Sequence, residues 1–150
     1  MNKTDYMKLA LEQAQIAQAH GDVPVGAVMV DPASGDVLAS ASNRVMQDND
    51  PTAHAEILAI RKVSATQGSA RLTGLDLYVT LEPCPMCAAA ISLARVRRLE
   101  FAAYDPKGGG IDHGPKIFDQ PTCHHRPEVV GGVREKEASL LLKEFFVQRR

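Results

Sequence analysis

The chain has 150 residues, a formal net charge of −1 at pH 7, 45% hydrophobic residues and 23% charged residues. These values are typical of one soluble globular domain over residues 1–150, and they exclude a strongly basic protein that attracts nucleic acid through bulk charge. Three cysteines, an odd number, argue against a disulfide framework and indicate a cytoplasmic protein. The longest apolar stretch, residues 86–94, is too short to cross a membrane, and the first twenty residues do not resemble a secretory signal.

The amino-terminal part of the chain is predicted to form a helix and a β-hairpin. Residues 5–19 place apolar side chains along one helical stripe, and Gly21 is a typical helix stop. Residues 23–31, "VPVGAVMVD", are almost continuously apolar, which favours a strand that is covered on both faces. The turn "PASGD" and a second strand over residues 37–43 complete the hairpin.

The rest of the chain alternates between helices and strands. Helices are predicted over residues 55–66 and 84–96, and strands over residues 75–81 and 98–104. A short edge strand in "EVVGGV" and a carboxy-terminal helix follow. The alternation indicates parallel strands joined by right-handed crossovers, whereas the leading hairpin adds an antiparallel part. We therefore predict an α/β fold, a three-layer α/β/α sandwich around a mixed five-stranded sheet.

A long loop is predicted over residues 105–125, which are rich in glycine, proline, aspartate and histidine and show little periodicity. A loop of this length in a compact domain is usually functional. Residues 95–126 hold six Lys and Arg against four Asp and Glu. This excess predicts at most a local basic surface, and solvated charge without a partner explains it as well.

Both central helices begin with residues suited to metal binding. One begins at "AHAE", which contains His54 and Glu56, and the other at "EPCPMC", which contains Cys84 and Cys87. In α/β sheets with parallel strands the amino termini of the helices gather at the carboxyl ends of the strands, so topology can bring these residues together. Positions i and i+3 share a helix face, so both sulfurs can reach one ion, and a helix amino terminus favours the thiolate form.

One imidazole and two thiolates form a donor set that suits Zn²⁺. Three protein ligands leave a fourth tetrahedral position for water, whose pKa zinc lowers from about 15.7 to about 7. Glu56 is then placed to carry a proton from this water to a substrate rather than to bind the metal. Taken alone, His54 fits a surface or capping residue, and Cys-x-x-Cys fits a redox pair or half of a closed structural zinc site. The combination favours a catalytic zinc centre.

The pattern His-x-Glu followed by Pro-Cys-x-x-Cys is the signature of zinc-dependent nucleobase deaminases. On this signature and on further segments, the chain resembles the bacterial tRNA-specific adenosine deaminases of the cytidine-deaminase-like superfamily. The resemblance runs through most of the chain and is carried by "VPVGAVMV", "SNR", "DPTAHAEILAIR", "LYVTLEPCPMCAAAI", "YDPKGGG", "PTCHHRPEV" and "EFFVQRR".

The resemblance implies a zinc-dependent hydrolase that converts the wobble adenosine of a tRNA anticodon to inosine and releases ammonia. It implies that His54, Cys84 and Cys87 hold one Zn²⁺ per subunit and that Glu56 protonates N1 of adenine and then the leaving amine. It also implies a homodimer whose partner is the tRNA anticodon stem-loop.

Two substrate-binding residues come from the resemblance alone. Asn43, at the end of the second predicted strand, matches a residue that hydrogen-bonds the target base. Asp105, which opens the glycine-rich loop, matches an acid near the ribose of the flipped nucleotide. Without the resemblance, both would be interpreted as ordinary turn residues.

Other functions remain open at this point. "EPCPMC" also occurs in guanine deaminases of the same fold, so a free nucleobase or nucleoside such as guanine or cytosine is an alternative substrate. The segment over residues 107–121 departs from the common bacterial form of this family, in the region that the resemblance implies to hold RNA. A non-catalytic RNA-binding module with a closed zinc site would need a fourth protein ligand, for which Cys123, His113 and His124 are candidates.

Several further residues are interpreted without a catalytic role. Glu82 is expected to be a structural acid at a strand end, and Phe145 and Phe146 are expected in the core of the last helix. Arg149 and Arg150 fit either phosphate contacts or a solvated tail. Cys123, His124 and His125 match the RNA-side loop of the family, so we do not assign them to the zinc.

Overall fold

Residues 4–149, which the computed structural model describes, form five α-helices, five β-strands and one 3-10 turn; Arg150 lies outside the described residues. In chain order the elements are α1 (Tyr6–Ala19), β1 (Gly26–Asp31), β2 (Asp36–Ser42), α2 (Val45–Asp48), α3 (Ala55–Gln67), β3 (Asp76–Leu81), α4 (Pro85–Leu93), β4 (Arg98–Ala103), the 3-10 turn (Ile117–Asp119), β5 (Glu128–Val130) and α5 (Glu135–Gln148). None of the helices within this range is long and apolar enough to cross a membrane.

The five strands form one sheet in the order β2-β1-β3-β4-β5. β1 is antiparallel to both of its neighbours, whereas β3, β4 and β5 are parallel to one another. β2 therefore runs in the same direction as β3, and α3 connects them by crossing over β1. This confirms the predicted mixed sheet. It also places the carboxyl ends of β2, β3 and β4 at the same edge, where α3 and α4 begin.

Helices cover both faces of the sheet, as the predicted three-layer sandwich requires. On one face, α3 and α4 pack against a core that includes Ala27 and Met29 of β1. On the other face, α1 and α5 pack against a second core that includes Val28 and Val30. Successive residues of β1 thus point to opposite cores, because side chains alternate along a strand. All four are at most 1% exposed, which explains the continuous apolar run in the sequence.

A glycine brings α1 close to the sheet. A Cβ atom at Gly26 would collide with the backbone of α1 at Ala10 and Ala14. The amide of Gly26 donates instead to Thr80 Oγ1 of the neighbouring strand, at 3.1 Å. The first strand begins at Gly26, three residues later than residue 23, since Pro24 has no amide to donate and the amide of Val25 donates to the carbonyl of Val23 at 2.8 Å.

Two further elements differ from the sequence prediction. The short helix α2 was not predicted. Its first turn is stabilised by a residue far away in the sequence, because the buried Asp22 carboxylate accepts from the amides of Met46 (2.7 Å) and Gln47 (3.3 Å). Helix α4 ends at Leu93 rather than at residue 96, since Arg95 adopts a left-handed conformation with φ of +64°. Alternation of apolar residues cannot reveal either feature.

Candidate metal centre and active site

His54 and Cys84 occupy equivalent positions at the starts of the two central helices. Each is the residue immediately before the first helical turn, with an extended backbone (φ −73° and ψ 149° for His54, φ −69° and ψ 170° for Cys84). Pro85 follows Cys84 at the first helical position, where its missing amide costs nothing. Within the described chain neither side chain caps its own helix, so both are free to face the sheet edge.

Three donor atoms converge at this edge. His54 Nδ1 lies 3.6 Å from Cys84 Sγ and 3.4 Å from Cys87 Sγ, and all three donor atoms lie within 4.8 Å of one another. Zinc bonds of about 2.0–2.3 Å in a tetrahedron place ligand atoms about 3.5–3.8 Å apart, so the donor set fits one Zn²⁺. The predicted convergence of these residues is confirmed.

The protonation of the three donors is coupled. Hydrogen bonds from Cys87 and His54 lower the pKa of the Cys84 thiol to about 4, although burial opposes the shift. The adjacent Cys84 sulfur and burial raise the pKa of Cys87. The hydrogen bond with Cys84 raises the pKa of His54. The cluster therefore holds one thiolate beside two groups that carry protons. A metal cation that binds here displaces those protons.

Glu56 lies in the first turn of α3, two residues after His54. Its side chain is buried, with the residue 4% exposed, and it lines the same cavity as His54 and Cys84. Burial raises the pKa of the Glu56 carboxyl above its usual range. A buried carboxyl that can hold a proton beside a metal site is suited to proton transfer.

A cavity of about 540 Å³ opens onto this cluster. This volume lies within the range of pockets that hold small ligands. The cavity is lined by residues from six parts of the chain, namely Gly21, Asp22, Val23, Val25, Asn43, Val45, Met46, His54, Glu56, Leu81, Glu82, Cys84, Asp105, Gly108, Phe145 and Arg149. All the predicted site residues except the fully buried Cys87 line it.

Asn43 lines the cavity and holds a buried acceptor that has no partner among the described residues. The residue is 7% exposed, and its Nδ2 donates to the carbonyl of Val23 at 3.4 Å. Its Oδ1 is buried and has no hydrogen-bond partner among the described residues. Because buried polar atoms are almost always paired, this unpaired amide oxygen makes Asn43 a candidate for a ligand contact.

Asp105 stands at the cavity mouth, just beyond the end of β4. Its Oδ1 accepts from the amides of Lys107 (3.2 Å) and Gly108 (2.9 Å), which fixes the orientation of the carboxylate. Its own amide donates to Glu82 Oε1 at 3.0 Å. The structure therefore brings Asp105 into the predicted site, on a loop that is attached to the strand leading to Cys84.

The carboxy-terminal helix forms part of the cavity wall, which the sequence did not indicate. Phe145 is buried, as predicted, but Phe146 is 54% exposed, so its predicted core position is wrong. Arg149 lies over the Phe145 ring at 4.3 Å and donates to the carbonyl of Gly21 at 3.1 Å. Phe145 and Arg149 are one helical turn apart, and this spacing was the available signal in the sequence that the two side chains share one helix face.

Cys123, His124 and His125 lie apart from the metal centre. Cys123 and His124 line a separate groove of about 220 Å³ beside α4, and Cys123 Sγ lies 3.4 Å from Ser92 Oγ. His125 Nε2 donates to the carbonyl of Val96 at 2.6 Å. Within residues 4–149 the candidate ligand group contains only His54, Cys84 and Cys87, so none of the suggested fourth ligands is in place.

Two arginines of the locally basic region are engaged in structural ion pairs. Arg97 forms two hydrogen bonds with the buried Asp76 carboxylate, at 2.8 and 2.6 Å. Arg98 pairs with Glu100 and Glu128. Asp76 and Arg98 begin β3 and β4, so these ion pairs lie at the edge of the sheet opposite the cavity.

Comparison with known proteins agrees with this site. Residues 1–103 match the family model of the cytidine and deoxycytidylate deaminase zinc-binding region. A tRNA-specific adenosine deaminase of Agrobacterium fabrum is 51% identical over 148 residues, which are 99% of this chain and 96% of that protein.

Two solved structures show how far the similarity extends. One comes from studies of A-to-I editing by tRNA:A34 deaminases at the wobble position of transfer RNA; it is 52% identical with a TM-score of 0.88 and covers 91% of this chain and 98% of its own. The guanine deaminase of Bacillus subtilis is 32% identical with a TM-score of 0.64, covering 99% of this chain and 94% of its own. The chain belongs to the zinc-binding deaminases of the cytidine and deoxycytidylate deaminase family, within the group of tRNA-specific adenosine deaminases.

Proposed function

We propose that the protein deaminates adenosine to inosine at the wobble position of a tRNA anticodon. Water replaces the exocyclic amine of adenine, and ammonia leaves. The observation that carries this proposal is the placement of buried Glu56 beside the His54, Cys84 and Cys87 donor set, with Glu56, His54 and Cys84 lining a cavity of about 540 Å³. The relatives named as tRNA-specific adenosine deaminases give the substrate class.

His54, Cys84 and Cys87 are the residues that would hold the zinc. Three protein donors are one fewer than a closed structural site uses, which is the pattern of a catalytic centre. When bound, Zn²⁺ supplies the Lewis acidity that makes water a nucleophile at neutral pH. The absence of a fourth donor from residues 4–149 weighs against the alternative of a non-catalytic zinc module.

Glu56 is the proton carrier of the proposed reaction. Its carboxylate takes one proton from water and gives it to N1 of adenine. It then takes the remaining proton from the oxygen newly bonded to C6 and gives it to the amine, so that the C6 carbonyl forms as ammonia leaves. The first turn of α3 fixes Glu56 relative to His54, and burial excludes bulk water from the carboxyl. General acid and base work of this kind contributes about 10²–10⁴ in rate.

Asn43 and Asp105 hold the nucleotide in this proposal. The unpaired Oδ1 of Asn43 accepts an N–H from the base, which supplies the partner that this buried oxygen otherwise lacks. The bonds that orient the Asp105 carboxylate within the chain both involve Oδ1. Oδ2 of Asp105 is therefore available for a ribose hydroxyl at the cavity mouth.

An RNA loop fits the outer part of the cavity better than a free base does. Met46, which lines the cavity, is 67% exposed, and Arg149 places a cation at the same mouth. A base extruded from a single-stranded loop brings a ribose and phosphates to this region, and extrusion from such a loop costs only a few kcal/mol. Free guanine remains the second candidate, because a guanine deaminase shares 32% of the sequence.

A homodimer and a cytoplasmic location complete the proposal. Helix α4 carries Met86 and Leu93, which are 37% and 74% exposed, beside the groove that contains Cys123. A second copy of the chain that covers this apolar stripe would remove it from water, and Leu93→Glu would then shift the dimer towards the monomer in light scattering.

A cytoplasmic location is consistent with metal-binding thiols, which need a reducing compartment.

The direct test is product analysis with four substrates in parallel. Purified protein is incubated with an anticodon stem-loop that carries a wobble adenosine, and with free adenosine, guanine and cytosine. We expect inosine in the stem-loop and little turnover of the free compounds. Rapid turnover of a free base without inosine in the RNA would support the second candidate instead.

A further inference from the structure

Glu82 makes contacts that the proposed chemistry does not use. It follows β3 and precedes the metal-binding Cys84 by two residues, and its side chain is fully buried. Its carboxylate accepts five hydrogen bonds, all from residues 105–113, which we call the mouth loop. The donors are the amides of Asp105 (3.0 Å), Ile111 (3.2 Å), Asp112 (3.0 Å) and His113 (3.2 Å), and His113 Nδ1 (2.8 Å).

Glycines allow the mouth loop to reach this carboxylate. A Cβ atom at Gly109 would collide with the Glu82 carboxylate, and one at Gly110 would lie 2.6 Å from the nitrogen of Pro85. The amide of Gly110 donates to the carbonyl of Pro83 at 2.8 Å. The loop is thus fitted directly onto the segment that leads into α4.

The contacts of Glu82 are more specific than a buried acid needs for its own stability. A buried carboxylate requires several donors, but these could come from any neighbouring segment. Here one carboxylate joins both ends of the mouth loop, since it accepts from Asp105 at the start and from His113 at the end. Asp105 lines the cavity. Glu82 therefore connects the segment that leads into α4, the metal-binding helix, to the wall of the substrate cavity.

His113 is the partner of Glu82 that can be altered without disturbing the metal centre. Its side chain is 33% exposed, and its ring meets the Tyr104 ring edge-on at 6.2 Å between centroids. It is not part of the His54, Cys84 and Cys87 group. It contributes the shortest of the five hydrogen bonds and the only one from a side chain.

We propose that Glu82 and His113 are positioning residues that fix the mouth loop, and with it the Asp105 carboxylate, for recognition of the nucleotide. This inference rests on the proposed function, because Asp105 is taken to contact the nucleotide. Loss of the His113 contact loosens the grip on the substrate and leaves the proton transfer at Glu56 unchanged. The pair therefore controls KM and RNA affinity rather than kcat.

The test compares His113→Leu, which removes the donor, with His113→Asn, which keeps a donor close to the position of Nδ1. His113→Leu should raise KM for the anticodon stem-loop about three- to tenfold and leave kcat within about twofold, which is the range of one typical hydrogen bond. His113→Asn should restore most of the affinity. Asp112→Ala is the matched control, since Asp112 is exposed and meets Glu82 only through its backbone amide.

A double-mutant cycle and hydrogen exchange distinguish positioning from general stabilisation. His113→Leu and Asp105→Ala should be non-additive in RNA affinity, measured by fluorescence anisotropy with Glu56→Gln protein, because the first acts through the second. Amides 108–113 should exchange faster in His113→Leu, with zinc content and Tm nearly unchanged. Additive effects, or an unchanged KM together with unchanged exchange, would overturn the inference.

Failure of the proposed function gives a different result. If the wild-type protein makes no inosine in the stem-loop, the proposed substrate is wrong and the link to RNA recognition falls with it. The exchange of amides 108–113 still decides whether the Glu82–His113 pair holds the loop. The same set of variants therefore distinguishes a wrong substrate from a wrong role of the Glu82–His113 pair.

Discussion

His54 Nδ1 lies 3.4 Å from Cys87 Sγ, although the two residues are 33 positions apart in the chain. They meet because α3 and α4 both begin at the edge where the strands running in the β3 direction end. Each helix thus contributes its amino-terminal end to one donor set. The sheet topology thus brings the metal-binding residues and Glu56 together, because all of them stand at the starts of two helices.

Replacing the cysteines separately should show which of them bind the metal. Cys84→Ser and Cys87→Ser should each lose most of the bound zinc and all activity, and their Tm should fall because metal binding is coupled to folding. Cys123→Ser is the matched control and should retain about one zinc per chain, since Cys123 lies in a separate groove beside Ser92. Metal analysis after dialysis checks this, and zinc loss in Cys123→Ser would contradict the assignment.

Glu56→Gln should reduce turnover strongly without releasing the metal. We expect kcat to fall by about 10²–10⁴, since general acid and base catalysis is removed. The Tm should be unchanged or slightly higher, because a buried ionisable group is replaced by a neutral one of the same shape. Glu12→Gln, on the exposed face of α1, should behave like the wild type. A kcat for Glu56→Gln near that of Glu12→Gln would exclude the proposed proton transfer.

Asn43→Ala should impair the reaction far more than it affects folding. Removal of the unpaired Oδ1 should lower kcat/KM about ten- to hundredfold, which corresponds to one hydrogen bond to a buried base. The free energy of unfolding should change little, since the variant loses only a 3.4 Å bond to Val23. Gln47→Ala removes an exposed amide close by and is the control. Equal kcat/KM values for the two variants would refute the base contact.

Much of this site could be predicted from local sequence patterns. His54, Glu56, Cys84 and Cys87 stand at helix starts, and their spacing alone brings them to one point once the crossover topology is recognised. Asn43 and Asp105 carry no such signal. They were placed only through resemblance to a family, because a turn residue and a ligand-binding residue look alike in sequence.

The cavity walls could not be predicted, because they depend on long-range contacts. Asp22 holds the first turn of α2 from 24 residues away, and Arg149 reaches Gly21 across 128 positions. Neither contact follows from a periodic pattern. The same is true of the five donors that converge on Glu82, whose carboxylate looked like an ordinary acid at a strand end.

Tyr78 should make the protein sensitive to alkaline pH. Burial, with the nearby Glu100 and Asp76 carboxylates, raises the pKa of Tyr78 from 10.0 to about 12. Because the folded state holds this proton more tightly, the contribution to stability is fully present below pH about 10 and is lost as the pH rises towards 12. Tyr78→Phe should lose less stability than the wild type over this interval. Parallel denaturant unfolding at pH 8 and pH 11 measures the difference, and identical losses would contradict the shift.

Arg97 should matter for stability and not for RNA. Arg97→Ala leaves the buried Asp76 carboxylate without its two hydrogen bonds and should cost about 1–3 kcal/mol in the free energy of unfolding. KM for the anticodon stem-loop should stay within about twofold, since the pair lies at the edge of the sheet opposite the cavity. Arg126→Ala, which removes an exposed ion pair with Asp119, is the control for the loss of a positive charge. A large rise in KM specific to Arg97→Ala would place RNA on this edge instead.

X-ray absorption at the zinc edge of the purified wild-type protein tests the metal centre most directly. The account predicts one zinc per chain with two sulfur neighbours at about 2.3 Å and two nitrogen or oxygen neighbours at about 2.0–2.1 Å, one of them from water. Three sulfur neighbours, or a second histidine in place of the water, would mean a closed structural site and would contradict catalysis at this centre.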